Sequence, residues 1–129
     1  MGALETARTL DQSGSTTAAS VIAEGCAYTR PDTVITGRDA ILASYRSADE
    51  WGQSSLDQVV FESSVRPHED GRFAIEYLDL LTRRGHQHEH RCRQIVTVQA
   101  GLITHMEHVD LPGQPEALRA CFEQVGVQR

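Results

Sequence analysis

The chain has 129 residues, enough for one domain with a proper hydrophobic core, and its 40% hydrophobic and 23% charged residues are an ordinary soluble composition. Its net charge is −6, and its twelve basic residues are all Arg, scattered apart from Arg83, Arg84, Arg91 and Arg93, which read as a solvated strand face. An acidic chain without a basic stripe is a poor candidate for nucleic acid, and no segment approaches the ~20 apolar residues of a membrane span.

In chain order, residues 2–10 predict a short helix, broken by Gln12-Ser13-Gly14-Ser15. Ser15, Thr16 and Thr17 offer N-caps for a second helix from Ala18 to Glu24, with Ala19, Ile22 and Ala23 on one side and Gly25 as its stop. Tyr28-Thr29-Arg30-Pro31 is extended, because Pro31 biases its predecessor away from helix. Val34-Ile35-Thr36 is a short β-branched strand, and Gly37 turns the chain into a helix over Arg38–Arg46. Leu56 to Val65 alternates loosely, His68–Gly71 is a turn, and Phe73–Leu81 is the strongest strand. After the Arg83-Arg84-Gly85 turn come two further strands, joined through Gln99-Ala100-Gly101. Pro112–Pro115 closes the sheet, and Glu116–Gln124 predicts a final helix. Helices followed by antiparallel strands give an α+β plan in one domain over residues 1–129.

Cys26, Cys92 and Cys121 are odd in number and far apart, with no CxxC pair. They are not a disulfide framework, and a reducing, cytoplasmic setting is the simplest reading. The first residues include Glu5 and Arg8 and lack the apolar run of a signal peptide.

Five of the six histidines, His86, His88, His90, His105 and His108, fall on the last two strands. Alternate strand residues share a face, so His86, His88, His90 and Cys92 form one set and His108 and Asp110 another. With a three-residue Gln99–Gly101 loop, Val98 pairs with Leu102, Cys92 falls opposite His108, and His90 falls opposite Asp110. A carboxylate beside an imidazole orients the ring and raises its basicity, so His108, Asp110 and His90 are the candidate proton-transfer groups. A two-residue loop would break these pairs. Facing is ambiguous too: Val96, Val98 and Met106 favour one parity as inward, Ile95, Ile103 and Val109 the other. The competing reading, polar residues on an exposed or dimer-facing surface, has the larger weight, because clustered polar groups often prove structural.

His-x-His-x-His-x-Cys has the chemistry to bind zinc, but the Glu that a cupin motif requires after its paired histidines is absent at Arg91, Cys92, Arg93 and Gln94. The metal reading ranks last, and no metal or cofactor is expected. Tyr28, Tyr45, Trp51 and Tyr77 are candidates to line a pocket for a planar ligand, against the commoner role of aromatics in a core. Tyr28, Trp51, Tyr77, Cys92 and Met106 form the expected ligand-contacting set. Asp79 either enters the cavity with Tyr77 or sits at a strand end. Cys92 as a nucleophile would need a lowered pKa, and a buried inert thiol is favoured.

The order of a helix, Tyr28-Thr29-Arg30-Pro31, a strand, Thr36-Gly37-Arg38-Asp39-Ala40-Ile41 opening a helix, and antiparallel strands ending in Gly101-Leu102-Ile103 resembles the nuclear transport factor 2-like superfamily. Within it, the chain resembles the SnoaL-like polyketide cyclase group, from about Thr16 to Phe122. The resemblance implies a cone-shaped, curved antiparallel sheet wrapped around N-terminal helices, with a pocket for a small apolar ligand, commonly in a homodimer. It does not name an activity. The general-base Asp of ketosteroid isomerase-like members is replaced by Arg30, and no Tyr precedes Tyr28 to serve as their oxyanion-hole residue. Limonene epoxide hydrolase-like members carry Arg-x-Asp where this chain has Arg91-Cys92-Arg93. The SnoaL-like acid/base Asp falls at His108, with Asp110 two residues on. The expectation is a small-molecule pocket acting by proton transfer on an apolar carbonyl compound as a cyclase or isomerase. The competing class is a non-catalytic dimerising module of the same fold.

Overall fold

A computed structural model of the chain describes residues 2–12 and 18–127. Helix α1 (Ala3–Gln12) precedes strands β1 (Ile22–Thr29) and β2 (Val34–Thr36), helix α2 (Arg38–Ser55) and strand β3 (Gln58–Pro67). A 3₁₀ turn at Glu69–Gly71 leads into strands β4 (Arg72–Arg83), β5 (His86–Gln99) and β6 (Leu102–Asp110), and helix α3 (Gln114–Val125) follows. The strands form one curved, unclosed sheet in the order β2-β1-β6-β5-β4-β3. This is the α+β cone expected from the sequence, with one difference of detail. β1 runs parallel to β6, while every other neighbouring pair is antiparallel.

The predicted helix over Ala18–Glu24 is corrected to strand β1 from Ile22 onward. β1 is inserted between β2 and β6, and tertiary pairing on both edges overrides a short helical pattern. Cys26 and Tyr28 face the core from it, and Gly25 falls in the stretch between Ile22 and Ala27 where the ladder to β6 is irregular. Gly25 therefore marks a sheet irregularity rather than a helix end. The cap candidates Ser15, Thr16 and Thr17 lie outside the described residues.

Helix α2 continues past Arg46 to Ser55. Gly52 is buried inside it and faces Val59 of β3, where a Cβ would make an ordinary van der Waals contact at 3.5 Å. Helix α3 begins at Gln114, with Pro115 in its first turn, where no amide hydrogen bond is lost. Inside the cone, Ala7 and Leu10 of α1 and Ile41 and Leu42 of α2 pack against Ile75, Val96, Ile103 and Met106 of the sheet. The Thr6 hydroxyl donates to the carbonyls of Gly2 (3.1 Å) and Gly101 (3.3 Å), which ties α1 to the β5–β6 turn. No described helix is long and apolar enough to cross a membrane.

The β5–β6 register differs from the expected one for two reasons. Ala100 (φ 51°) and Gly101 (φ 79°) both adopt positive φ and form a two-residue turn, so Gln99 pairs with Leu102. Then Val98 pairs with Ile103 but Thr97 with His105, leaving Thr104 as a bulge. Each event slips the pairing by one residue. His108 therefore opposes Gln94 and Asp110 opposes Cys92, in place of the expected Cys92–His108 and His90–Asp110 pairs. Beyond the bulge the combined slip of two preserves the face of each side chain, whereas a slip of one would have reversed it. The bulge also explains the conflicting inward stripes, since Ile103 before it and Met106 after it are both fully buried.

Candidate functional site

Alternation along the strands sends Tyr77, Asp79 and Leu81 of β4, His90, Cys92 and Gln94 of β5, and His108 and Asp110 of β6 to the concave face. There they line an open cavity of about 1190 Å³, just above the roughly 300–1,000 Å³ of small-molecule sites. At its mouth, Trp51 of α2 meets Phe122 of α3 with ring centroids 5.5 Å apart. Phe61 of edge strand β3 stands at the rim and is 62% exposed, a large apolar surface left beside the opening.

Two Asp/His arrangements face this space. His108 Nε2 lies 2.8 Å from Asp110 Oδ1, with the imidazole side chain 16% exposed and the carboxylate 39%. A carboxylate accepts, so the ring donates from Nε2, which in a neutral imidazole leaves the lone pair on Nδ1. Asp79 stands directly opposite His90 in the β4–β5 ladder, the position at which Cβ atoms are ~4.5–5.5 Å apart.

Deeper in the cavity, Tyr77 donates its hydroxyl proton to Gln94 Oε1 (3.3 Å), and Gln94 Nε2 donates to the Tyr28 hydroxyl oxygen (3.1 Å). Because β6 lies between β1 and β5, the Gln94–Tyr28 bond crosses over β6 beside His108. Tyr45 stacks at a tilt against Tyr28 and donates to Met106 Sδ at 3.8 Å. Burial raises the Tyr28 phenol above its ordinary pKa, against the opposing effects of the Gln94 bond and the Arg30 charge, so Tyr28 stays a neutral donor. Arg30 holds its guanidinium 5.8 Å from the Tyr28 ring centroid, within cation–π range.

The structure brings His90, His108, Asp110, Tyr28, Trp51, Tyr77 and Cys92 to the cavity wall. Met106 is the exception. It is fully buried under Tyr45 and belongs to the core, because the bulge at Thr104 seats it beneath the cavity floor. Cys92 is a poor nucleophile: burial, then the charges of Asp79, Asp110 and Glu76, push its thiol up to about 12. Cys26, Cys92 and Cys121 are all free thiols. His86 lies at the exposed end of β5, and His105 is an exposed residue of β6 whose Nε2 lies 3.5 Å from the Thr29 hydroxyl. Among the described residues, no three His, Cys, Asp or Glu side chains are grouped to hold a metal ion.

Gln94 and Arg30 were missed by the sequence reading. The available signal for Gln94 was its place between Cys92 and Val96 on the inward parity, which made it a polar residue on an otherwise buried stripe. For Arg30 the signal was its place just before Pro31, where the ketosteroid isomerase-like pattern has its general base; its contact with the Tyr28 ring was not legible from there.

No family model and no curated protein matches the chain. Solved structures do match it. A nuclear transport factor 2-like protein of unknown function from Burkholderia pseudomallei K96243 superposes with a TM-score of 0.67 at 13% identity, over 89% of this chain and 93% of that one. A protein with a ketosteroid isomerase-like fold from Catenulispora acidiphila DSM 44928, solved with trimethylamine, gives 0.64 at 12% identity over 99% and 95%. A putative SnoaL-like polyketide cyclase from Mesorhizobium loti gives 0.54 at 21% identity over 81% and 92%. The chain has the nuclear transport factor 2-like fold.

Proposed function

We propose that the cavity binds an apolar carbonyl compound and that His108, oriented by Asp110, moves a proton on it as a cyclase or isomerase does. The observation that carries this reading is the 2.8 Å His108–Asp110 hydrogen bond on the wall of an open cavity that Tyr28, Trp51 and Tyr77 also line. In such a step the proton on the carbon next to the carbonyl passes to His108 Nδ1. Its electron pair moves into the enolate, and the imidazolium returns the proton to the same or a conjugated carbon. Atoms and electrons balance without a cofactor or a second reactant. His90 and Asp79, opposed on the same face, supply a second proton-carrying pair within reach of a ligand of this size.

A filled cavity would have favoured the competing, non-catalytic module, and the space between Tyr77, His108 and Trp51 is open instead. The test is a thermal-shift screen of cyclic ketones, naphthols and polyketide-like aromatics. Binding raises apparent stability by mass action, and we expect carbonyl compounds to raise Tm in a saturable way. A flat response across the set would return the lead to the interaction module.

The convex face carries the half-exposed Leu78 and Leu80 beside Val60, which is 39% exposed. We assign that apolar group to a homodimer contact in a cytoplasmic protein. Light scattering of Leu80→Glu should then give a monomer where the parent gives a dimer.

A further inference from the structure

Tyr28 is 4% exposed and lines the cavity, and its hydroxyl accepts its described hydrogen bond from Gln94. A phenol has one proton to donate, and among the described residues no acceptor takes it. A buried donor left unspent costs free energy unless something in the cavity accepts from it. Gln94 orients that proton. Its Oε1 accepts from Tyr77 and its Nε2 donates to the Tyr28 oxygen, so in this arrangement Tyr28 donates away from Gln94.

The second observation is the charge beside it. Arg30 lines the same cavity and lies against the Tyr28 ring, yet no carboxylate pairs with it among the described residues. An unpaired guanidinium next to an unspent phenol donor is complementary to a negatively charged oxygen. We propose that Tyr28 and Arg30 form an oxyanion subsite, with Gln94 as its positioning residue, so that the ligand class is a compound presenting a phenolate, enolate or enolic-acid oxygen. This deepens the proton-transfer reading and rests on it: the Tyr28–Gln94 bond passes beside His108, so an enolate formed there has its oxygen at the subsite.

The probe is 4-nitrophenol, titrated above its own pKa so that it is the phenolate, with nitrobenzene as a neutral control of the same ring size. Kd is read by absorbance or calorimetry, together with the position of the bound phenolate band. The parent protein should bind the phenolate at least tenfold more tightly than nitrobenzene. Tyr28→Phe and Arg30→Gln should each weaken the phenolate by about tenfold and leave nitrobenzene within about twofold. Gln94→Leu should shift the bound phenolate band toward that of Tyr28→Phe, a change that loss of packing alone does not produce. Equal weakening of both probes, or of neither, overturns the subsite. Binding of nitrobenzene without a preference for the phenolate overturns the subsite and leaves the apolar cavity standing. Binding of neither probe to the correctly folded parent overturns both.

Discussion

Glu76 offers a test of the register on which the site depends, made entirely on the opposite face. Glu76 and Tyr77 are adjacent on β4, so they point to opposite sides of the sheet. If Glu76 meets Arg66 and Arg93 outside, Tyr77 must lie inside, opposite Cys92. Glu76 Oε1 accepts from Arg93 Nε at 2.7 Å and from Arg66 Nη2 at 2.9 Å. The side chains of Glu76, Arg93 and Arg66 are 27%, 29% and 52% exposed, so the Arg93 bond is the less screened. A well-solvated pair contributes ~0.2–1 kcal/mol and a charge-assisted hydrogen bond up to ~1.5–3, so Glu76→Gln should cost about 1–2 kcal/mol at pH 7. For a chain of this size that is a fall in Tm of roughly 4–8 °C. Partial burial raises the Glu76 carboxyl, but the Arg93 and Arg66 hydrogen bonds and charges outweigh it and hold the carboxyl below the usual range. A lowered folded pKa means that the contribution is present at neutral pH, above the unfolded carboxylate pKa. It is lost as pH falls through the folded value. The parent and Glu76→Gln should therefore converge in acid, which thermal or urea denaturation across pH 2–7 would read. Equal stability at pH 7 would refute the placement of this triad, and with it the facing of Tyr77.

Other consequences are as direct. Ala100 holds φ 51° in the two-residue turn, a conformation that Asn tolerates better than Ala. Ala100→Asn should raise stability by ~0.5–1 kcal/mol in chemical denaturation, and a loss would argue for the three-residue loop instead. Cys92 should resist iodoacetamide at pH 8 while the half-exposed Cys121 reacts, as peptide mass spectrometry would show. A raised folded thiol pKa leaves stability intact below the unfolded thiol pKa of ~8.5 and erodes it as pH climbs toward about 12. Labelling of Cys92 as fast as Cys121 would show an open or acidic thiol environment.

Much of the sheet was legible from alternation and turn residues, because β4, β5 and β6 are long and their hairpins carry glycine. The grouping of His90, Cys92, His108 and Asp110 on one face was legible for the same reason. Their partners were not. A two-residue turn and a bulge at Thr104 are decided by local backbone conformation and by packing under α1, neither of which alternation reports. Residues 18–24 misread as a helix because so short an apolar pattern fits either periodicity, and the insertion of β1 beside a strand some eighty positions later decided it. That same non-local contact places Tyr28 and Arg30 at the site. Gln94 was hidden because a polar residue on a buried stripe gains meaning only once the two tyrosines it joins are known to be near.

The central claim is that this cavity moves a proton on a carbonyl compound through His108. Deuterium incorporation at the α-carbon of 2-tetralone in heavy water, followed by proton NMR with the parent protein and with His108→Ala, tests it most directly. The account predicts exchange above the buffer rate for the parent and a loss of about 10²-fold or more for His108→Ala, with Tm held within a few degrees and 2-tetralone still bound. Exchange by the parent that is no faster than buffer despite binding, or exchange undiminished in His108→Ala, would contradict it.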